Sequence, residues 1–272
     1  ETLKTLKART GIYLPARISE GYGLNKKAID GLARGGAKLI ITVDNGIRNR
    51  GEVENAKSLG LDIIVTDHHE PSPDKNDWPV CFTINPKADN GYPYRFLAGV
   101  GVAFKFAKAL IESSKLAGDL KIKLEEKILD LVAVGTVADM VSLVGENRIL
   151  VSLGLKIINQ KKRIGLNELI KVSKINANGE KEIKAWHIGW QIAPRLNSAG
   201  RMDHANTAYE LLITKDKAEA AKIAEKLNEK NQARQKITEE IFEAAKKLVE
   251  AGRLDDKILI VVSPEKKENL SW

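Results

Sequence analysis

The chain has 272 residues, a single cysteine and no apolar run near the roughly 18 residues of a membrane span, so an internal disulfide and a spanning helix are excluded. With 43% hydrophobic and 29% charged residues it reads as soluble and globular, one large domain plus the start of a second. A net charge of +8 suits a polyanionic partner, although many lysine-rich surfaces have none, and the lone Cys81 fits a reducing, cytoplasmic location.

From Asn25 the pattern Lys26 to Ala33 predicts a short amphipathic helix, capped by Asn25 and stopped by Gly35 and Gly36. The β-branched run Lys38 to Val43 follows and predicts a strand buried on both faces of a parallel sheet, ending at Asp44, Asn45 and Gly46. A helix from Arg50 to Leu59, a strand from Asp62 to Thr66 and a third apolar run from Val80 to Ile84 complete an α/β unit with at least three parallel strands. Beyond Leu97 the pattern is mostly helical, over about 100–114, 124–137, 147–159 and 165–172. The Lys- and Glu-rich stretch Lys215 to Glu250, free of Pro and Gly, predicts one long helix joining domains. The chain begins at Glu1 without an initiator methionine and stops just after the strand-like run Ile258 to Val262, so we expect a fragment.

Ligands of open parallel sheets bind at the carboxyl ends of the strands, and here adjacent strands deliver Asp44 and Asp67 to that edge, on the order of 5 Å apart. Two carboxylates there repel unless a cation or protons compensate. His68 and His69, half of the chain's four histidines, share the second strand end. Carboxylate with imidazole suits Mn²⁺, Fe²⁺ or Zn²⁺, with Mg²⁺ where carboxylates dominate. Each residue also has a plainer role: Asp44 as a turn residue, Asp67 as a helix N-cap, Asp139 as a helix exit bonded to backbone amides. Asp139 closes the apolar helical segment Ile128 to Ala138, and a carboxylate leaving such a buried helix needs a partner. The stretch Ala185 to Arg201 interleaves Trp186 and Trp190 with Arg195, Asn197, Ser198 and Arg201. Its arginines suit phosphates; its tryptophans, at helical spacing, read as core anchors in preference to base-stacking surfaces, and His187 as structural or solvent-facing. His204, beside Asp203, reads as a helix-start residue.

Five segments, in order, resemble the DHH phosphoesterase superfamily and within it the RecJ single-stranded-DNA exonucleases: Tyr13 to Arg17 with Glu20 to Asn25, Ile41 to Gly46, Thr66 to Pro71, Gly135 to Asp139 with Leu143 to Arg148, and Ile192 to Met202. The resemblance implies a parallel sheet flanked by helices, a mostly helical part and a long connecting helix. It implies two divalent ions, Mn²⁺ or Mg²⁺, with Asp44 bridging them and His68 and Asp139 completing one shell. Asp67 would orient the histidine pair, and His69 would contact the scissile phosphate or assist proton transfer. Arg17 would contact a 5′-phosphate, and Arg195, Asn197 and Arg201 would hold the strand. The implied activity is 5′-3′ hydrolysis of single-stranded DNA by a two-metal mechanism in repair and recombination, alongside single-strand-binding protein and a helicase. A DHH phosphoesterase acting on oligonucleotides or cyclic dinucleotides, or a non-catalytic DNA-binding scaffold, are the alternatives. By the same resemblance residues 1–214 form a catalytic core lacking its first, Asp-rich motif, 215–252 the connecting helix, and 253–272 the start of a truncated DHH-associated domain, so the fragment alone is expected to bind metal weakly and to be inactive, the activity belonging to the intact protein.

Overall fold

The computed structural model describes residues 1–88, 91–175, 182–202 and 205–250; the side chains of residues 17, 18, 201 and 202 lie outside that description. His204, the strand expected over 258–262 and the domain expected over 253–272 also fall outside it. Among the described residues no helix is long and apolar enough to cross a membrane.

Two short helical turns, α1 (Thr2–Thr5) and α2 (Arg17–Glu20), precede α3 (Lys26–Arg34). Asn25 caps α3 as its sequence suggests, its side-chain oxygen accepting the Ala28 N–H at 2.8 Å. Strand β1 (Leu39–Ile41), helix α4 (Arg50–Ser58), strand β2 (Asp62–Thr66) and strand β3 (Phe82–Ile84) follow. The three strands are parallel in the order β1-β2-β3, with Leu39 opposite Asp62 and Ile64 opposite Phe82. One face of this sheet packs on α3 and α4 through Ile29, Val53, Ala56, Leu61, Ile63 and Val65.

Burial of β1 on both faces does not hold. Among the described residues β1 pairs on one side only, with β2, and Leu39 is 47% exposed and Val43, just past its end, 51%. An unbroken apolar run marks a strand, but the number of covered faces depends on neighbours that the run itself does not encode.

The helical half is built around α6 (Gly118–Ala138). It sends Ile128, Leu129 and Val132 into a core shared with α5 (Gly99–Glu112) and α7 (Gly145–Asn159), and Ala133 and Val134 into a second core. That second core takes residues from α8 (Ile164–Val172), the π-turn Ile188–Ile192 that continues the short helix α9 (Ala185–His187), α10 (Ala193–Met202), α11 (Asn206–Ile213) and the first half of α12 (Lys217–Glu250). Apolar residues almost all round α6 thus reflect a helix packed on two sides. In α12 the buried residues are Ala220, Ala224, Leu227, Asn228 and Asn231. A buried ion pair ties the layers: Arg163 donates through Nε to Asp130 Oδ2 at 2.6 Å and through Nη2 to Asp130 Oδ1 at 3.0 Å, while its Nη1 reaches Leu212 O.

Candidate metal centre

Parallel pairing brings the two loop-forming strand ends together. The Asp44 N–H donates to Thr66 O, and Thr66 Oγ1 donates to Thr42 O at 2.6 Å, so the threonines clamp the ends of β1 and β2. Asp44 then turns through a left-handed backbone conformation (φ 65°), one that Asp and Asn tolerate better than most residues, and aims its carboxylate over the end of β2.

The two aspartates at this edge play unlike parts. Asp67 is buried and faces inward, where Oδ2 accepts the Ile47 N–H at 2.9 Å and Oδ1 accepts the His68 N–H at 2.7 Å, the His69 N–H at 3.1 Å and the His69 ring Nδ1 at 2.7 Å. Burial alone would raise this carboxyl, but the donated bonds from Ile47, His69 and His68 outweigh it and hold it below the ordinary carboxylate range. No helix begins here, so Asp67 is not an N-cap; it binds the backbone of its own strand end. Its charge is absorbed by donors and does not face Asp44 across a shared cation site, as the strand-edge geometry alone suggested.

His68 is the centre of the cluster. Its Nδ1 lies 3.0 Å from Leu97 O, an atom that only accepts, so Nδ1 carries the proton. In the neutral ring Nε2 is then a lone pair, and it lies 3.0 Å from Asp44 Oδ1 and 3.5 Å from Asp139 Oδ2. That Nε2 is buried without a hydrogen-bond partner. Asp139, the C-cap of α6, arrives from the helical half and completes a triangle of electron-rich atoms. A second ring proton would bond Asp44, and this, against the opposing effect of burial and helped by Asp139, lifts His68 above its ordinary value. Asp139 is itself raised, by burial first and by repulsion from Asp44, with His68 pulling the other way. The cluster therefore attracts positive charge, and a divalent cation satisfies the same atoms that a proton would. Asp44, His68 and His69 each offer a ligand atom within 4.8 Å of one another, so the donor set fits a metal ion.

His69 is solvent-facing, with its side chain 58% exposed. Because Asp67 can only accept, the His69 Nδ1 is the N–H, and Nε2 is left toward solvent. Its carbonyl accepts from Asn85 Nδ2 at 2.9 Å. Sequence reasoning missed Leu97, whose carbonyl sets the His68 tautomer, and Gly99. A Cβ on Gly99 would lie 2.2 Å from Asp44 Oδ1, so only glycine leaves room for that carboxylate. The run Ala98, Gly99, Val100, Gly101 held the single clue, a close approach of backbone.

The other candidates lie around α10. Arg195 is half-buried, donating through Nε to Asn228 Oδ1 at 3.0 Å and through Nη1 to Gln191 O at 2.7 Å; Asn197 is exposed. Burial lowers the Arg195 pKa. Arg17 lies in α2 and Arg201 in α10, two helices that pack together, but their side chains lie outside the described residues. Trp186 and Trp190 are not core anchors: they are 58% and 71% exposed. The helix bearing them buries Ile188 and Ile192, so the tryptophans ride its outer face. His187 is buried and its Nδ1 accepts the Lys184 N–H at 2.9 Å, a structural role.

Residues 1–136 match the family described as "DHH family, N-terminal domain". The single-stranded-DNA-specific exonuclease RecJ of Bacillus subtilis is 41% identical over 261 residues, which cover 96% of this chain and 31% of that protein. A crystal structure of exonuclease RecJ bound to manganese superposes with a TM-score of 0.82 at 32% identity, covering 97% of this chain and 63% of that one. RecJ of Thermus thermophilus in complex with Mn²⁺ gives 0.80 at 30% identity, over 97% and 36% of the two chains. The chain spans about a third of the length of the curated relatives it matches.

Proposed function

The chain belongs to the DHH family, and from that membership we propose that it is the core of a metal-dependent exonuclease that hydrolyses single-stranded DNA from the 5′ end. The observation that carries the reading is the His68 ring, fixed by Leu97 O so that its Nε2 faces two carboxylates and no hydrogen-bond donor. Such a site selects a cation. Asp44, His68 and Asp139 are the residues that would hold Mn²⁺ or Mg²⁺, with Asp44 shared where two ions bind. Divalent ions, when bound, supply Lewis-acid charge for a phosphoryl group and acidify water.

The protein's own part is orientation. Asp67 fixes the His69 ring with Nε2 outward, where it touches the scissile phosphate or carries a proton. Arg17, Arg195, Asn197 and Arg201 are the residues proposed to hold the strand; α2 and α10, which carry them, lie side by side. Arg195 also binds Asn228, so a shift of α12 would move one of the residues that hold the strand. The same reading places residues 1–214 in the catalytic core, 215–252 in a helix joining it to a further domain, and the protein in the cytoplasm with single-strand-binding protein and a helicase.

The test is digestion of end-labelled single-stranded DNA with Mn²⁺ by the full-length gene product, beside its Asp44→Ala variant. Release of nucleotides from the 5′ end by the wild type, lost in the variant, is expected. A preference for dinucleotides over long strands, or wild-type cleavage by Asp44→Ala, would overturn the reading.

A further inference from the structure

The loop after Asp139 feeds α7 through the segment Gly145 to Arg148, and three of those four residues are absorbed by the fold. Gly145 lies against the Tyr94 ring, Glu146 accepts from Tyr92 and Lys105, and Asn147 is fully buried, donating to Phe96 O at 2.6 Å and Ser142 O at 3.1 Å. Arg148 alone points outward, and it opens a surface groove of about 650 Å³. Arg148, Ser152 and Lys156 line it at i, i+4 and i+8 on one face of α7, which sets the two cations about 12 Å apart along the axis. Lys184 stands on the opposite wall. Among the described residues none of these three cations forms an ion pair; Glu182 is the groove's one acidic residue.

Two further observations give the groove direction and chemistry. Leu143, one of its lining residues, follows Asp139 by four residues, so their Cα atoms lie at most about 14 Å apart. Trp186 comes two residues after Lys184, and Trp190 one turn later with Gly189 beside Val137, two residues before Asp139. Two exposed indoles, two and six residues along the chain from the groove's Lys184, add to its cations the composition of a single-strand track, where phosphates meet cations and bases stack on rings.

We propose that the groove between α7 and residues 182–190 carries the single strand to or from the metal centre, with Arg148, Lys156 and Lys184 on phosphates and Trp186 and Trp190 under bases. This rests on the exonuclease reading and extends it to a second set of strand-holding residues beyond α2 and α10. An acidic peptide would meet the same cations but has no use for two exposed rings beside them.

The experiment measures binding of a fluorescein-labelled oligothymidine to the full-length gene product by anisotropy, with EDTA to stop cleavage, over a series of salt concentrations. R148A/K156A/K184A is expected to lower the slope of log K against log salt by about 2, from roughly 0.7 for each phosphate no longer neutralised. Trp186→Ala is expected to bind about tenfold more weakly with the slope unchanged. Because all four side chains are exposed, the variants' thermal midpoints should match the wild type, which separates lost binding from lost fold. A triple variant with wild-type affinity and slope, from a wild type that cleaves single strands in Mn²⁺, would overturn the groove and leave the exonuclease reading standing. A wild type that neither binds nor cleaves them would overturn both. Loss of polyglutamate binding in the triple variant, with oligothymidine binding intact, would make the groove a peptide site and sink the proposal.

Discussion

Gly99→Ala tests the metal centre through a residue that is not itself a ligand. A Cβ at this position would lie 2.2 Å from Asp44 Oδ1, 2.5 Å from Cγ and 2.8 Å from Cβ. Ordinary contact begins near 3.4 Å, so the carboxylate must retreat by about 1 Å or the start of α5 must move. Either shift disturbs the 3.0 Å approach of Asp44 to His68, and the second also carries the backbone after Leu97, whose carbonyl fixes the His68 ring. Displacing groups that orient metal ligands typically costs about 10–100-fold in metal affinity. A misplacement of about 1 Å at a reacting centre costs on the order of 100-fold in rate. We therefore expect Mn²⁺ affinity, read by isothermal titration, to fall within that range, and cleavage of single-stranded DNA to fall at least as far, with the circular-dichroism spectrum unchanged. Gly99→Ala with wild-type Mn²⁺ affinity would refute the argument that Asp44 must occupy this space to serve as a ligand.

Asp67→Asn should cost about 3 kcal/mol in urea unfolding at neutral pH, because an amide cannot accept all four donated bonds and turns its own N–H groups toward donors. The folded carboxyl titrates below its ordinary 3.8, so the wild-type advantage should be complete above that value and shrink as pH falls through the depressed folded pKa; an advantage that grew on acidification would contradict the assignment. Asp130→Ala should cost about 3 kcal/mol by leaving the buried Nε of Arg163 without its acceptor while Glu1 still pairs with the terminal nitrogens, and a change below about 1 kcal/mol would show the Asp130 pair to be dispensable. Adding Mn²⁺ at about 100 times its dissociation constant should stabilise the wild type by about 2.7 kcal/mol and leave Asp44→Ala unmoved, read as a shift in thermal midpoint.

Local signals in the sequence were strong where one element decides its own form. The β-branched run from Asp62 to Thr66 is β2 to the residue, and the long charged stretch is helical throughout Lys217–Glu250. Signals failed where the answer lay in another part of the chain. Leu39 and Val43 belong to an apolar run, yet among the described residues β1 is an edge and no neighbouring element covers them fully. Trp186 and Trp190 have core-like spacing, but Ile188 and Ile192 between and after them take the buried face. Spacing identifies a helix face without saying which way it turns.

The centre itself shows the same division. That Asp44, His68 and Asp139 would converge is not legible from spacing, since 24 residues separate the first two and 71 the last two; β-pairing, α5 and the exit of α6 bring them together. What the sequence did show was an excess of charge with no evident partner, and the fold resolves each carboxylate differently. Asp130 meets an arginine and Asp67 meets four N–H donors, so both are satisfied by the protein. Asp44 and Asp139 meet each other across an imidazole whose only N–H is already given to Leu97 O. Against the four donors at Asp67, Asp139 receives the Gly99 N–H and its carboxyl still stands raised, so two carboxylates and a lone pair are left for something outside the chain. A cation is the simplest species that satisfies all three at once.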